Sequence, residues 1–398
     1  MVVTIEKMDN FGRGIAYLEN KICFVENALP GEIVDITIKK ENKKYCEALV
    51  EKYLKVSPLR IEDECFYQKQ CGGCCLGHLT FEEENKWKEE KVKSLFRKYA
   101  SVFEDKIEPI VYHERYEYRN KIVLHGKEGK LGLYQEKTND VVPISKCLLV
   151  NEKINTIIEK LQKQKNNIEE AIIKTSNDES KVMLSLTGEV ENRDELLENI
   201  DVLLINNHYY TKETKLLTQI GTKQFYEGIH SFFQVNKTLT EALYGEVIDE
   251  VKKNHYSNVL DLYCGTGTIG ICISDYVDKV IGIDSNLSNI EDALKNKELN
   301  KTVNIEFICD KVENQISSFK NIDLIIVDPP RAGLDFKTKE YLQEIKPQKI
   351  IYISCDPVTL TRDVSDLKKI YEVDRVKPFN MFPCTYHVEC VCLLCKRN

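Results

Sequence analysis

Residues 230–398 are expected to fold as an open, doubly wound α/β sheet, and two features of the sequence carry that expectation. From about Phe232 onward, strand-like and helix-like patterns alternate, as they do in a parallel sheet covered on both faces. The apolar runs Val259–Tyr263, Val280–Asp284, Ile305–Asp310, Leu324–Asp328 and Ile350–Cys355 each deliver a polar or reactive group at the end. Ligands of such sheets bind in the crevice outside the carboxyl ends of the strands, so these termini mark one binding edge. Thr238–Val251, with Leu239, Leu243, Val247 and Val251 at helical spacing, reads as the helix that leads in.

Residues 1–57 read as a small β-barrel. The alternating runs Val2–Ile5, Ile15–Tyr17, Lys21–Val25, Ile33–Lys39 and Tyr45–Val50 are separated by Gly12, Gly14 and Pro30–Gly31. Barrels of this size bind nucleic acids or serve as protein contacts. Residues 58–229 read as an α+β middle region. It opens with a cysteine-rich knot, Cys65 to Cys75, followed by a charged helix, Phe81–Tyr99, with apolar Trp87, Val92, Leu95 and Phe96. That helix lies in a segment, 78–106, with the means to pack on the catalytic domain. Strand-like runs Lys121–Leu124, Val182–Leu186, Val202–Ile205 and Leu216–Ile220 follow, interrupted by a helix over Asn151–Lys163.

With 42% hydrophobic and 30% charged residues in 398, the chain has material for real cores. No run approaches the ~18 apolar residues of a membrane span, and Met1–Asn10 has no apolar signal core. A cytosolic protein, taken as a monomer, is expected. In that compartment fifteen cysteines are not a disulfide framework, which leaves metal ligation, catalysis or burial. The net charge of −8 disfavours nucleic acid as a partner only on average, because phosphate binding depends on local Lys and Arg. Lys39, Lys40, Lys43 and Lys44 form the densest such cluster, and a solvated loop accounts for them equally.

The strand ends carry the chemistry. Gly265 and Gly267, in Asp261-Leu-Tyr-Cys-Gly-Thr-Gly267, let a backbone approach a ligand at a strand-to-helix turn, although an ordinary tight turn uses glycine too. Asp284, at the end of the next strand, suits the two hydroxyls of an adenosine ribose. To this point a nicotinamide-dependent oxidoreductase and a methyltransferase fit equally. Asp328-Pro-Pro-Arg331 separates them by adding a rigid carboxylate and cation, and Arg331 stands where amino-group methyltransferases carry an aromatic.

Cys355 follows a buried strand and precedes Asp356-Pro357, which places its thiol at the crevice and at a helix start, a setting expected to lower its pKa. An inert buried cysteine is the plain alternative. Glu389 opens an apolar run, Val391–Leu394, where a carboxylate is costly unless paired or functional. Together they fit methylation at C5 of a uracil. Thiolate addition at C6 makes C5 nucleophilic, and a base must then remove the C5 proton so that the thiolate leaves. A uracil within folded RNA has to be flipped or splayed out to reach them.

Phe233-Gln-Val-Asn236, Asp261–Gly267, Asp328–Arg331, Ser354-Cys-Asp-Pro357 and Phe382-Pro-x-Thr-x-His-Val-Glu389 resemble the motifs of the RNA uracil-5 methyltransferase family, above all its 23S ribosomal RNA branch. The resemblance implies a Rossmann-like S-adenosylmethionine-dependent methyltransferase domain, with Gln234, Tyr263, Asp284 and Asp328 at the cofactor and Asp310 as a fifth contact, beside the Gly265 turn read above. It implies Cys355 as nucleophile, Glu389 as proton acceptor, and residues 1–57 as a TRAM domain binding RNA, with transfer RNA as the alternative substrate. Asp284 stands where many relatives have Glu, and Cys384 and Asp356 replace the more usual Gln and Asn.

Cys65, Cys71, Cys74 and Cys147 supply four thiolates, the ligand number of an iron–sulfur cluster. The resemblance assigns them to a [4Fe–4S] cluster, while four thiolates satisfy zinc equally well. Cys75, adjacent to Cys74, is a further possible ligand. A radical enzyme is disfavoured because the spacing departs from the Cys-x3-Cys-x2-Cys triplet. A non-catalytic RNA-binding factor is the remaining rival, and it leaves Cys355 and Glu389 without a use.

Overall fold

In the computed structural model, which describes residues 1–397 apart from 69, 165 and 232, the chain forms three main sheets and a two-stranded ribbon. Phe232, the expected onset of strand–helix alternation, lies outside the described residues. The first sheet has six strands, one more than the pattern predicts, in the order Val2–Thr4, Ile33–Glu41, Tyr45–Lys55, Lys21–Glu26, Gly14–Leu18, Lys7–Met8. Its core holds Val3, Ile5, Val25, Val34 and Ile36 together with Cys23 and Cys46, so two of the fifteen cysteines are simple packing residues. Register shifts between Ile33–Glu41 and Tyr45–Lys55 break the period-two pattern, which is why alternation ended the last strand at Val50.

The second sheet has seven strands and is covered by the helix Glu152–Lys163, whose N-terminus is capped by Asn151 Oδ1 accepting from Ile154 N at 3.1 Å. The strand Asn166–Thr175 at its centre escaped the sequence reading because a bulge between Ile168 and Glu170 interrupts its alternation.

The third sheet carries the strand ends of interest. We number its strands β1 (Tyr256–Leu262), β2 (Val277–Asp284), β3 (Ile305–Cys309), β4 (Leu324–Val327), β5 (Lys349–Ser354), β6 (Tyr371–Phe379) and β7 (Glu389–Lys396). They lie in the order β3-β2-β1-β4-β5-β7-β6, with the first five parallel and β7 antiparallel to β5 and β6. The chain turns to opposite sides after β1, so the ligand crevice opens between β1 and β4. Strand β7 takes an interior place because Cys390 to Leu394 are all apolar and all buried. The helix Phe81–Leu95 and the turn Phe96–Ala100 insert Val92, Phe96 and Ala100 into the core of this sheet.

Candidate active site

At the end of β1 the backbone takes left-handed conformations at Tyr263 (φ +63°), Gly265 (φ +54°) and Gly267 (φ +76°). A Cβ on Gly267 would stand 2.4 Å from the Phe307 ring, whereas open space lies beside Gly265. The amide of Gly265 donates to Asp284 Oδ2 at 3.0 Å, and Asp284 Oδ1 accepts from Asn286 N (2.8 Å) and Asn289 Nδ2 (3.2 Å). Asp284 is thereby fixed at the edge of the open space. The Tyr263 hydroxyl donates to Asp335 Oδ2 at 3.3 Å.

Asp261 is fully buried. Its Oδ2 accepts from Gly270 N at 3.0 Å, but Oδ1 has no partner. Burial, with Asp328 and Asp284 nearby, pushes its pKa up to about 7, and burial alone does the same to Asp328. Buried carboxylates with no cation of their own form a negative crevice suited to a positively charged ligand.

Across the crevice, Asp356 caps the helix Pro357–Leu367, its Oδ1 accepting from Val358 N at 2.9 Å, so Cys355 does stand at a helix start. Strand register pairs Ser354 with Cys390, so Cys355 leaves β5 where β7 begins at Glu389, close enough for the Glu389 charge to act on the thiol. Glu389 is 2% exposed, and burial followed by repulsion from Asp328 pushes its pKa well up, against the pull of Arg331. The expected lowering of the Cys355 pKa is overturned. Burial and the charge of Glu389 raise it to about 11, with Arg331 acting in the opposite direction. A helix start does not offset partial burial with Glu389, Asp328 and Asp356 nearby.

The remaining candidates divide. Gln234 is buried just ahead of the helix Lys237–Lys253, whose cap residue Asn236 also donates from Nδ2 to Met381 O at 3.3 Å. Asp310 lies beyond β3, its amide donating to Asp284 O at 3.1 Å. Its carboxylate is occupied locally by Lys311 N (2.7 Å), Asn314 Nδ2 (2.9 Å) and Gln315 Nε2 (2.7 Å), which hold its pKa below the usual range.

Cys65, Cys71, Cys74 and Cys147 are not at the crevice. They line a separate cavity of about 390 Å³ together with Arg119, whose buried Nε has no partner, and Cys384. Among the described residues, no three His, Cys, Asp or Glu side chains are grouped so as to hold a metal ion. The sequence reading missed Cys384 as a fifth thiol there, touching Cys74 and receiving a hydrogen bond from Arg115 Nε at 3.5 Å. It also missed Lys91, buried on the helix Phe81–Leu95, whose Nζ donates to Tyr386 O at 2.8 Å and whose pKa burial pulls down to about 8. A charged side chain on a mostly polar helix gives no local sign of facing a site made by residues far along the chain.

No described helix is long and apolar enough to cross a membrane. Residues 201–397 match the family model described as tRNA (uracil-5-)-methyltransferase, and residues 1–50 match the TRAM domain. An uncharacterized RNA methyltransferase of Aquifex aeolicus (strain VF5) is 32% identical, over 98% of this chain and 97% of its own length. One of Bacillus cereus (strain ATCC 10987 / NRS 248) is 30% identical over 99% and 96%. Among solved structures, the Pyrococcus abyssi tRNA (uracil-54, C5)-methyltransferase in complex with S-adenosyl-L-homocysteine superposes with a TM-score of 0.80 at 26% identity, over 99% of this chain and all of that one. The strand order and the crevice at the carboxyl ends agree with that likeness. The chain therefore belongs to the RNA (uracil-5-)-methyltransferase family, S-adenosylmethionine-dependent enzymes of the class I fold, here with a TRAM domain at the N-terminus.

Proposed function

We propose that this enzyme methylates C5 of a uridine in 23S ribosomal RNA through a covalent bond between Cys355 Sγ and C6 of the base. The observation that supports this is the pairing of β5 with β7, which brings Cys355, just past the end of one strand, near Glu389, at the start of the other. The Cys355 thiolate adds to C6, and Arg331 offsets part of the charge of the surrounding acids. Once C5 is methylated, Glu389, as carboxylate, takes the C5 proton, and the electrons of that C–H bond restore the C5–C6 double bond and expel the thiolate. When bound, S-adenosylmethionine supplies the electrophilic methyl group. Gln234, Tyr263, Gly265, Asp284, Asp310 and Asp328 are the residues that would hold it, and the uncompensated acids of the crevice fit its positive charge.

Cys65, Cys71, Cys74 and Cys147 would hold a [4Fe–4S] cluster as a structural staple. The four thiols line one cavity of about 390 Å³, which has room for such a cluster. Purified protein is expected to be brown with about four irons per chain, and a colourless zinc-loaded protein would replace the cluster by zinc.

The choice of ribosomal RNA rests on the barrel and the four cysteines together. The Pyrococcus neighbour, which acts on tRNA and matches along nearly the whole chain, favours tRNA as the second reading. Incubation of unmodified ribosomal RNA and tRNA with S-adenosylmethionine, followed by mass spectrometry of the nucleosides, decides between them. 5-Methyluridine is expected in the ribosomal fraction with wild type and absent with Cys355→Ala. Its absence from both fractions defeats the proposal.

A further inference from the structure

Phe11 is a large apolar ring on the barrel surface, and 54% of it is exposed. Its turn is fixed by Asp9, whose Oδ1 accepts from Phe11 N at 2.9 Å and Arg13 N at 2.8 Å. Gly12 (φ +82°) presses this turn against the cysteine knot, so closely that a Cβ there would stand 2.7 Å from a methyl of Leu76. The consequence is a contact between domains. Phe11 meets Tyr386 edge-on, with ring centres 5.4 Å apart, and Tyr386 tilts against His387 at 4.2 Å, two residues before Glu389.

The same line continues away from the active site. The Arg13 guanidinium lies 5.5 Å from the centre of the Phe11 ring and 4.3 Å from that of Phe24. Phe24 meets Tyr45 edge-on at 5.7 Å, and Tyr45 directly follows the exposed Lys43 and Lys44. Asp9 holds Arg13 in an ion pair of 2.7 Å, keeping the guanidinium beside the rings. Rings and one guanidinium thus run in contact from Tyr45 of the barrel to His387, in the loop that leads into β7.

Aromatic rings with cations nearby are what single-stranded nucleic acid needs, because every base has a face to stack and every nucleotide a phosphate to neutralise. We propose that this line is a track for single-stranded RNA. The nucleotides beside the target uridine stack on Phe11 and Tyr386, and the backbone passes over Arg13 toward Lys43 and Lys44. The proposal rests on the uridine reading for its endpoint at Cys355 and deepens it by naming the surface that holds the flanking strand. It also gives the lysine cluster a role that a solvated loop does not.

The test uses full-length protein and a single-stranded oligoribonucleotide with one uridine and 2-aminopurine as its 5′ or 3′ neighbour. Stacking is expected to quench the fluorescence of at least one of the two probes on wild type. Phe11→Ala should abolish the quench and weaken binding about tenfold, within the usual range for losing one stacked base, and Phe11→Trp should restore both. Lys43→Gln with Lys44→Gln should reduce the slope of log affinity against log salt by about 1.4, at ~0.7 for each single-strand phosphate. Wild-type quench and affinity in Phe11→Ala would overturn the track, as would a loss that Phe11→Trp leaves unrepaired, which is the mark of disturbed domain packing. Failure of the uridine reading is distinguishable. In that case 5-methyluridine is missing from the nucleosides while the Phe11-dependent quench persists.

Discussion

Cys355 shares its corner of the crevice with Glu389 and Asp328, and the ionisation of the thiol is therefore tied to what else binds there. In the ligand-free site burial and Glu389 hold the pKa near 11. A cation bound beside the thiol would stabilise the thiolate, so S-adenosylmethionine held in this crevice is expected to lower its pKa. The rate of Cys355 alkylation by iodoacetamide, followed peptide by peptide across pH, is expected to shift to lower pH with S-adenosylmethionine. S-adenosylhomocysteine, which lacks the sulfonium charge, should shift it less, and identical profiles with and without ligand would count against the electrostatic coupling. In the proposed mechanism Glu389 has the complementary role. Glu389→Gln keeps the shape of the site and removes the base, so RNA should be methylated and then remain attached. A band that survives denaturant and carries both protein and RNA is the expected result, and free turnover by this variant would exclude Glu389 as the base.

At the scale of elements, the loop that leads into β7 is held by a helix far away in sequence. Lys88, fully buried on the helix Phe81–Leu95, donates to Glu84 (2.8 Å), to Asn380 Oδ1 (2.6 Å) and to Phe382 O (3.0 Å). Glu84 in turn accepts from Cys384 N at 3.0 Å, while the amides of Cys75 and Leu76 donate to Cys384 O. The cysteine knot, this helix and the loop that leads into β7 are one hydrogen-bonded unit. Removing one member of a buried ion pair leaves the other charge unpaired, at a cost of roughly 3–5 kcal/mol. Lys88→Ala is therefore expected to lower the midpoint of chemical denaturation and to lose methylation together with it, and a variant as stable as wild type would show that the unit is not a structural pin.

For the whole molecule, the buried acids set how stability depends on pH. Asp261 and Asp328 ionise near 7 when folded, against 3.8 as the ordinary value. Their folded pKa is raised, so between about 4 and about 7 the folded state holds protons that the unfolded chain has lost. Stability contributed by these groups is complete at the low end of that window and declines as pH rises through it. The ligand-free melting temperature should therefore carry a component that falls from pH 5 to pH 7.5. The gain from S-adenosylmethionine should be larger at pH 7.5 than at pH 5, because a cation compensates ionised acids only. A gain independent of pH would place the compensating charge elsewhere.

Much of this architecture is legible along the chain. The five parallel strands and their polar ends follow from apolar runs and turn residues, because a strand buried on both faces must read as a continuous apolar segment. The motifs around Asp261, Asp328, Cys355 and Glu389 are equally local, and they sufficed to name the family and the chemistry. Other features are invisible to any window of sequence. Strand β6 and the strand Asn166–Thr175 carry bulges that break their period.

What the sequence determined by itself is which residues end each strand and hence which groups meet at the cofactor edge. Only the tertiary structure decided that antiparallel β7 lies between β5 and β6 and so brings Glu389 near Cys355. It alone decided that Phe11 of the barrel touches Tyr386 of the loop before β7, and that burial and nearby acids push the Cys355 pKa up rather than down. The physical reason is the same in each case. Periodicity reports that a face is buried, whereas pairing partners and electric fields arise from groups close in space and far apart in the chain.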